Sequence, residues 1–190
     1  LLQRGEQARK NVDAVVAKGD TAAIDGAIHA ADSLLALAER ADGKWAEPIT
    51  RRALLAYRRS RTVGRDPGAI RKWVEMGLGH ANRALALDPN SADALELRGT
   101  LTYFSWVSNL ESDASRKQAL LVQARADLEK SAALNPKQAG AWAALVSLYY
   151  QVPGVTTTDI YLAADKAYSA DEFAANAPLV LHRLFTAAYD

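Results

Sequence analysis

Apolar residues recur along this chain at spacings of three and four positions, the period of an α-helix that buries one face. The clearest case is the run Ile70, Val74, Leu78, Ala81 and Leu85. Valine and isoleucine never alternate with polar residues in runs bounded by turn residues, so we expect no strands. The pattern predicts an all-α protein whose helices lie at about residues 6–17, 21–40, 47–62, 69–87, 91–107, 115–134, 137–151, 157–169 and 177–189.

The chain also contains an internal repeat. Residues 84–90 read ALALDPN, and residues 131–137 read SAALNPK, 47 positions later. In both segments a helix ends at an Asp-Pro or Asn-Pro pair, and an alanine-rich helix begins shortly afterwards. Turns with an Asp or Asn lie at intervals of 46, 47 and 36 residues, at Asp42, Asp88, Asn135 and Asp171. Self-similarity at a period of about 20–50 residues indicates a stack of repeats, and short connections make consecutive helices antiparallel neighbours.

These helix ends resemble those of the tetratricopeptide (TPR) repeat, in which a small residue and a proline close the second helix of each hairpin. Ala84 and Pro89 match the closing positions, and Leu95 and Gly99 match the large and small positions of the helix that follows. The next unit matches the repeat at Pro136, Trp142, Leu145 and Tyr149. The resemblance implies a right-handed stack of antiparallel helix hairpins, which is a TPR-like α-solenoid.

The chain departs from the TPR pattern in sequence and in length. Arg98 stands where a leucine is expected, Val146 where a glycine is expected, and Glu172 where the last unit would have its proline. Two units exceed the usual repeat length of about 34 residues. The extra residues lie around 58–69 and 105–116, so we expect longer than usual repeats with longer helices or insertions there.

The resemblance divides the chain into two parts. Residues 1–19 are expected to form an N-terminal helix that caps the stack, and residues 20–190 form the TPR-like repeat domain. The chain begins Leu1-Leu2 without a methionine and stops at Asp190 within a predicted helix. We therefore expect it to be a segment of a longer protein in which the repeat domain continues.

Composition and motifs argue against catalysis. The net charge of +1 provides no overall field to attract nucleic acid, and no apolar stretch approaches the roughly 20 residues of a membrane helix. The chain has no cysteine, which removes disulfides, thiolate nucleophiles and cysteine metal sites. Its three histidines stand singly, and nucleophile and phosphate-binding motifs are absent. We expect no enzyme activity, cofactor or metal site. The sequence does not determine the cellular compartment, and the cytoplasm is slightly favoured over the periplasm.

The resemblance also implies where a partner would bind. In TPR stacks the first helix of each hairpin lines a concave groove, and exposed aromatic residues there suit the capture of a peptide or a helix. Packing between helices is an equally weighted role for the same aromatic residues. The residues at groove positions that we select as binding candidates are Tyr57, Arg58, Glu96, Thr100, Tyr103, Phe104, Ser147 and Tyr150.

A basic segment extends over residues 44–72. It holds nine basic and two acidic residues, a local charge of +7. Arg51 and Arg58 share one helix face, and Arg52 and Arg59 share the adjacent face, because each pair is seven residues apart. Two interpretations stay open: the arginines are solvated on an outer face, or they form a basic patch that binds acidic groups through bidentate contacts. The patch candidates are Arg51, Arg52 and Arg59.

Three functions are compatible with these features. The first is a non-catalytic protein–protein interaction module that binds a protein or peptide in its groove. The second is a regulatory or self-association segment of a larger bacterial multidomain protein, a kinase or a transcription regulator, which would form a homo-oligomer. The third is a ligand-binding TPR protein associated with transport. We favour the first, and the charge balance makes nucleic acid the least favoured partner.

Overall fold

Helices make up most of the described chain. The computed structural model describes residues 2–19 and 21–171, together with residues 180, 181, 183 and 186. These residues contain no strand, so the all-α prediction is confirmed. The ninth predicted helix, at 177–189, lies outside the described residues apart from those last four positions. The elements are α1 (Leu2–Lys18), α2 (Thr21–Ala41), α3 (Ala46–Ser60), α4 (Pro67–Leu87), α5 (Ala92–Val107), α6 (Ala114–Leu134), α7 (Ala139–Tyr149) and α8 (Thr157–Ala170).

Polar side chains and the repeated turns set the helix boundaries. Helices α4 and α6 end at Asp88 and Asn135, each of whose backbone N–H donates to the carbonyl four residues earlier, at 2.8 and 2.9 Å. These are the residues that precede proline in the internal repeat, and proline disfavours continuation of a helix. Side-chain caps occur at the starts of α4, α5, α6 and α8, from Asp66, Ser91, Asp113 and Thr156.

The helices stack as consecutive hairpins. Helix α1 packs against α2, α3 against α4, α5 against α6 and α7 against α8, and the second helix of each hairpin packs on the first helix of the next. In the described residues the first helices, α1, α3, α5 and α7, also contact one another in turn, whereas the second helices do not. The first helices therefore line the inner, concave side of the stack, and the second helices form its outer side.

Small residues allow the helices to approach closely. A Cβ atom at Gly99 on α5 would lie 2.7 Å from Leu128 Cγ on α6. One at Gly77 on α4 would lie 2.8 Å from a methyl group of Leu101 on α5. Leu101 and Leu128 are fully buried. A side chain at either glycine would therefore push two packed helices apart.

Arg98, which departs from the TPR pattern, has a charged partner on the neighbouring helix. Its guanidinium donates to both carboxylate oxygens of Asp127 on α6, at 2.7 and 2.6 Å. The side chain of Asp127 is only 8% exposed, and a buried carboxylate is tolerated when it is paired in this way. The Arg98–Asp127 pair thus takes the place of the apolar contact that a leucine would make.

Candidate binding groove

Aromatic side chains gather near the C-terminal ends of α3 and α5, on the first helices. The rings of Tyr57 and Phe104 meet edge to face, with centroids 6.2 Å apart. Tyr103 and Trp106 stack, with centroids 6.0 Å apart and 11° between their planes. We call these four residues the aromatic band. All four are half-buried, so each packs part of its ring against a neighbour and leaves part accessible.

The aromatic band contacts α7, and a further tyrosine, Tyr150, directly follows that helix. The hydroxyl of Tyr103 donates to the backbone carbonyl of Ser147 at 3.1 Å, which ties α5 to α7. Tyr150 is 38% exposed, and the guanidinium of Arg183 lies 4.3 Å from its ring centroid. Tyr103 therefore contributes to packing between helices, while Tyr150 keeps a larger accessible surface; partner binding by either residue stays a prediction.

The opposite end of α5 carries two acidic residues, Asp93 and Glu96, which we call the acidic pair. Gln138 donates from its side-chain amide to the Asp93 carboxylate at 3.0 Å. Glu96 is half-buried against α7, where a Cβ atom added at Gly140 would lie 2.8 Å from its carboxyl carbon. Burial raises the pKa of Glu96 to about 7; hydrogen bonding by Gln138 opposes the rise and the charge of Asp93 adds to it.

Thr100 lies between the acidic pair and the aromatic band. It is half-buried and stands seven residues from both Asp93 and Val107, so the three residues share one face of α5. Val107 is 54% exposed although it is apolar. Val107 and Trp106 were not among the predicted groove residues, although their spacing from predicted residues points to both. Val107 follows Thr100 by seven residues, and Trp106 follows Tyr103 by three, which makes it a neighbour on the helix surface.

One face of the basic segment is paired with α1. Arg58 Nε lies 3.2 Å from a carboxylate oxygen of Asp13. Arg51 lies 3.7 Å from Glu6 on α1 and 3.3 Å from Glu47 on its own helix. The Arg58 side chain is 44% exposed, so its ion pair with Asp13 is largely in contact with water.

The adjacent face of the basic segment is paired with α2. Arg52 donates to both carboxylate oxygens of Asp32, at 2.7 and 3.1 Å, and to Glu39 at 2.7 Å. Arg59 donates to both oxygens of Asp25, at 2.7 and 2.9 Å. The side chains of Arg52 and Glu39 are 18% and 14% exposed, so this face is the more buried of the two.

The charge of the basic segment is thus balanced by carboxylates of the first hairpin. This is a third arrangement, which the two interpretations of the sequence did not include. It could have been inferred from spacing, because the acidic partners also recur every seven residues, at Glu6 and Asp13 and at Asp25, Asp32 and Glu39. Binding of an acidic partner by Arg51, Arg52 and Arg59 stays a prediction, and such a partner would compete with these internal pairs.

Outside the groove, a cavity of about 180 Å³ lies between α2, α3 and α4. Its apolar walls include Ile28, Leu55, Trp73 and Met76. In the described part of the chain, no three histidine, aspartate or glutamate side chains lie close enough together to hold a metal ion. None of the described helices has the length and apolar character needed to cross a bilayer.

Comparisons with known proteins bear on the fold. No family model matches the sequence, and no curated protein matches it. Among solved structures, the crystal structure of a thermophilic TPR protein from Thermus thermophilus aligns with a TM-score of 0.63, over 100% of this chain and 93% of that chain, at 14% sequence identity. This chain has a TPR-like fold. It is an all-α helical-repeat solenoid, as the repeated helix ends predicted.

In this TPR-like stack every groove candidate lies on the first helices or at their ends. Tyr57 and Arg58 belong to α3, Ser147 belongs to α7, and Tyr150 directly follows α7. Helix α5 carries the others, namely Glu96, Thr100, Tyr103 and Phe104. Helix α5 thus carries half of the groove candidates, with the acidic pair near its N-terminal end and three residues of the aromatic band near its C-terminal end. Binding of a partner at these residues stays a prediction.

Proposed function

We propose that this chain is a non-catalytic protein-interaction module whose concave groove binds a peptide or a protein segment. The observation that supports the proposal is the aromatic band, which lies on the first helices α3 and α5 and is only half-buried. Tyrosine and tryptophan are enriched among the residues that dominate binding energy at interfaces. The exposed Val107, which follows the band along α5, adds apolar surface to the same region.

The groove is also organised before a partner binds. The hydroxyl of Tyr103 is held by Ser147 on α7, the ring of Tyr57 is held edge-on by Phe104, and Arg61 lies 5.2 Å from the Phe104 ring centroid. Side chains that are already fixed lose little rotamer entropy on binding. These contacts support recognition by a preformed surface.

Selection from a random-sequence peptide library displayed on phage tests the proposal. Val107→Arg places a long charged side chain beside the aromatic band. Val122→Arg is a matched control, since Val122 is 60% exposed on α6, an outer helix, and Val107 is 54% exposed. We expect peptides selected on the wild-type chain to bind Val107→Arg at least about tenfold more weakly, which corresponds to about 1.4 kcal/mol, and to bind Val122→Arg within about twofold of wild type.

Two results would contradict the groove as the binding surface. One is a library that yields no peptide binding the folded wild-type chain. The other is a set of peptides whose affinity falls with Val122→Arg but not with Val107→Arg. Thermal unfolding of both variants shows whether any loss of binding comes from loss of structure.

A second candidate function, binding of a small molecule, has the cavity between α2, α3 and α4 as its support. Its volume of about 180 Å³ is comparable to cavities that hold a single aromatic ring, at about 150 Å³. A ligand that binds only the folded chain must raise its Tm. A metabolite panel that raises the Tm of the wild-type chain, but not of a cavity-filling Ala56→Phe variant, would favour this function; no shift with any compound would count against it.

A further inference from the structure

Glu96 differs from the other enclosed carboxylates because it has no cationic partner. Among the described residues, Asp127 is paired with Arg98, and Glu39 is paired with both Arg52 and Arg83. No arginine, lysine or histidine of the described chain lies within ion-pair distance of Glu96, and the side chain that stabilises its charged form is the neutral Gln138. Glu96 is thus a half-buried carboxylate whose charge no cationic side chain of the described residues balances.

The surroundings of Glu96 make room for its carboxyl group. Gly140, on the first turn of α7, leaves the space that a Cβ atom would fill, 2.8 Å from the carboxyl carbon. Gln138 is occupied in part by its hydrogen bond to Asp93. Among the described residues, the charge that acts on Glu96 is the like charge of Asp93. The local potential is therefore negative, and a positive group entering the groove would be attracted to it.

Tyr103 and Trp106 of the aromatic band lie on the same helix as Glu96. Tyr103 follows Glu96 by seven residues, which is about 10 Å at 1.5 Å per residue. An extended peptide in the polyproline II conformation advances about 3.1 Å per residue and brings every third side chain to the same face. A peptide that contacts both places therefore needs its two contacting side chains at positions i and i+3, whichever direction it runs along α5.

We infer that the segment bound in the groove carries a lysine or arginine that pairs with Glu96, about three residues from an aromatic or large apolar residue that packs on Tyr103 and Trp106. This inference rests on the proposed function and names the chemistry of the partner. Charge complementarity supports it, because a cation would balance the Glu96 charge, which has no cationic partner among the described residues. The aromatic band and the exposed Val107 supply the apolar contact.

The pH dependence of binding follows from the state of Glu96. Among the described residues, the charged group that acts on Glu96 is Asp93 on α5. The residues near Glu96 at the start of α7, Gln138 and Gly140, are uncharged. With a pKa of about 7, Glu96 is mostly neutral at pH 6 and mostly ionised at pH 8. A basic peptide is therefore expected to bind about tenfold more tightly at pH 8 than at pH 6, whereas a neutral analogue is not.

The test uses a peptide selected from the phage library on the wild-type chain, and a synthetic analogue in which its basic residue is replaced by glutamine. Glu96→Gln keeps the shape of the side chain and removes its charge. We expect it to weaken the basic peptide about tenfold and to change binding of the analogue by less than about twofold, as for loss of a charge-assisted contact. Glu75→Gln on α4, whose side chain is 67% exposed, is the control and should change neither.

The outcomes separate this inference from the proposed function. Suppose the selected peptides bind the Val107→Arg variant more weakly than the wild-type chain but are not enriched in lysine or arginine. This result would overturn the inference and leave the groove proposal standing. An equal effect of Glu96→Gln on both peptides would also overturn it. If Glu96→Gln fails to fold, the comparison of the two peptides on the wild-type chain at pH 6 and pH 8 decides, and equal pH dependence would overturn the inference.

Discussion

At the scale of single residues, Glu96 and Asp127 show two ways of holding a carboxylate inside a helical stack. Asp127 is 8% exposed and has both oxygens bound by Arg98. Glu96 has no ion pair in the described chain, and burial raises its pKa to about 7. The first arrangement depends on a partner within the chain, whereas the second leaves an unbalanced charge on the concave surface.

The pKa of Glu96 predicts a pH-dependent cost to stability. Because its pKa is raised in the folded chain above the ordinary value of 4.5, the folded state binds a proton more tightly than the unfolded state. The contribution of this group to the free energy of unfolding therefore falls as pH rises from about 4.5 to 7. Urea unfolding should show that Glu96→Gln gains stability relative to wild type between pH 5 and pH 8, by at most about 3 kcal/mol. A difference that is the same at both pH values would contradict the raised pKa.

The Arg98–Asp127 pair predicts a compensating double substitution. Arg98→Leu restores the residue expected from the TPR pattern but leaves the Asp127 carboxylate unpaired. Loss of one partner of a buried pair costs about 3–5 kcal/mol. The double variant Arg98→Leu with Asp127→Ala removes the unpaired charge and should recover most of this loss in urea unfolding. A double variant as unstable as Arg98→Leu alone would show that the pair is not the reason for the arginine.

At the scale of helices, the basic segment of α3 holds the first hairpin through two rows of ion pairs. The row facing α2, with Arg52 at its centre, is more buried than the row facing α1, with Arg58. Helix positions followed from apolar spacing. The sequence also contains the acidic residues of α1 and α2 at the same seven-residue spacing as the arginines, but which carboxylate meets which arginine depends on the packing of three helices.

The two rows predict unequal effects of substitution. Arg52→Ala removes contacts to both Asp32 and Glu39, and the side chains of Arg52 and Glu39 are 18% and 14% exposed. We expect a loss of about 2–3 kcal/mol in the free energy of unfolding. Arg58→Ala removes one exposed pair and should cost less than about 1 kcal/mol. Equal losses, or a loss for Arg52→Ala that disappears at 1 M salt, would show that the α2 row is screened surface charge.

At the scale of the whole molecule, the repeated Asp-Pro and Asn-Pro helix ends were sufficient to predict stacked hairpins. Local spacing determines where each helix begins and which face it buries, and short connections determine its neighbours. The groove was predicted only as a set of positions. Whether Tyr103 packs on α7 or faces solvent depends on how far apart α5 and α7 lie, and that distance cannot be read from the spacing of residues within one helix.

The most direct test of the groove is a map of where a library-selected peptide contacts the folded chain. Backbone amide chemical shifts, measured by NMR during titration with the peptide, report the contacted residues. If the concave surface binds, the largest changes will fall on α3, α5 and α7, around Thr100, Val107 and Ser147. Changes concentrated on the outer helices α2, α4 and α6, with α5 unaffected, would contradict the groove as the binding surface.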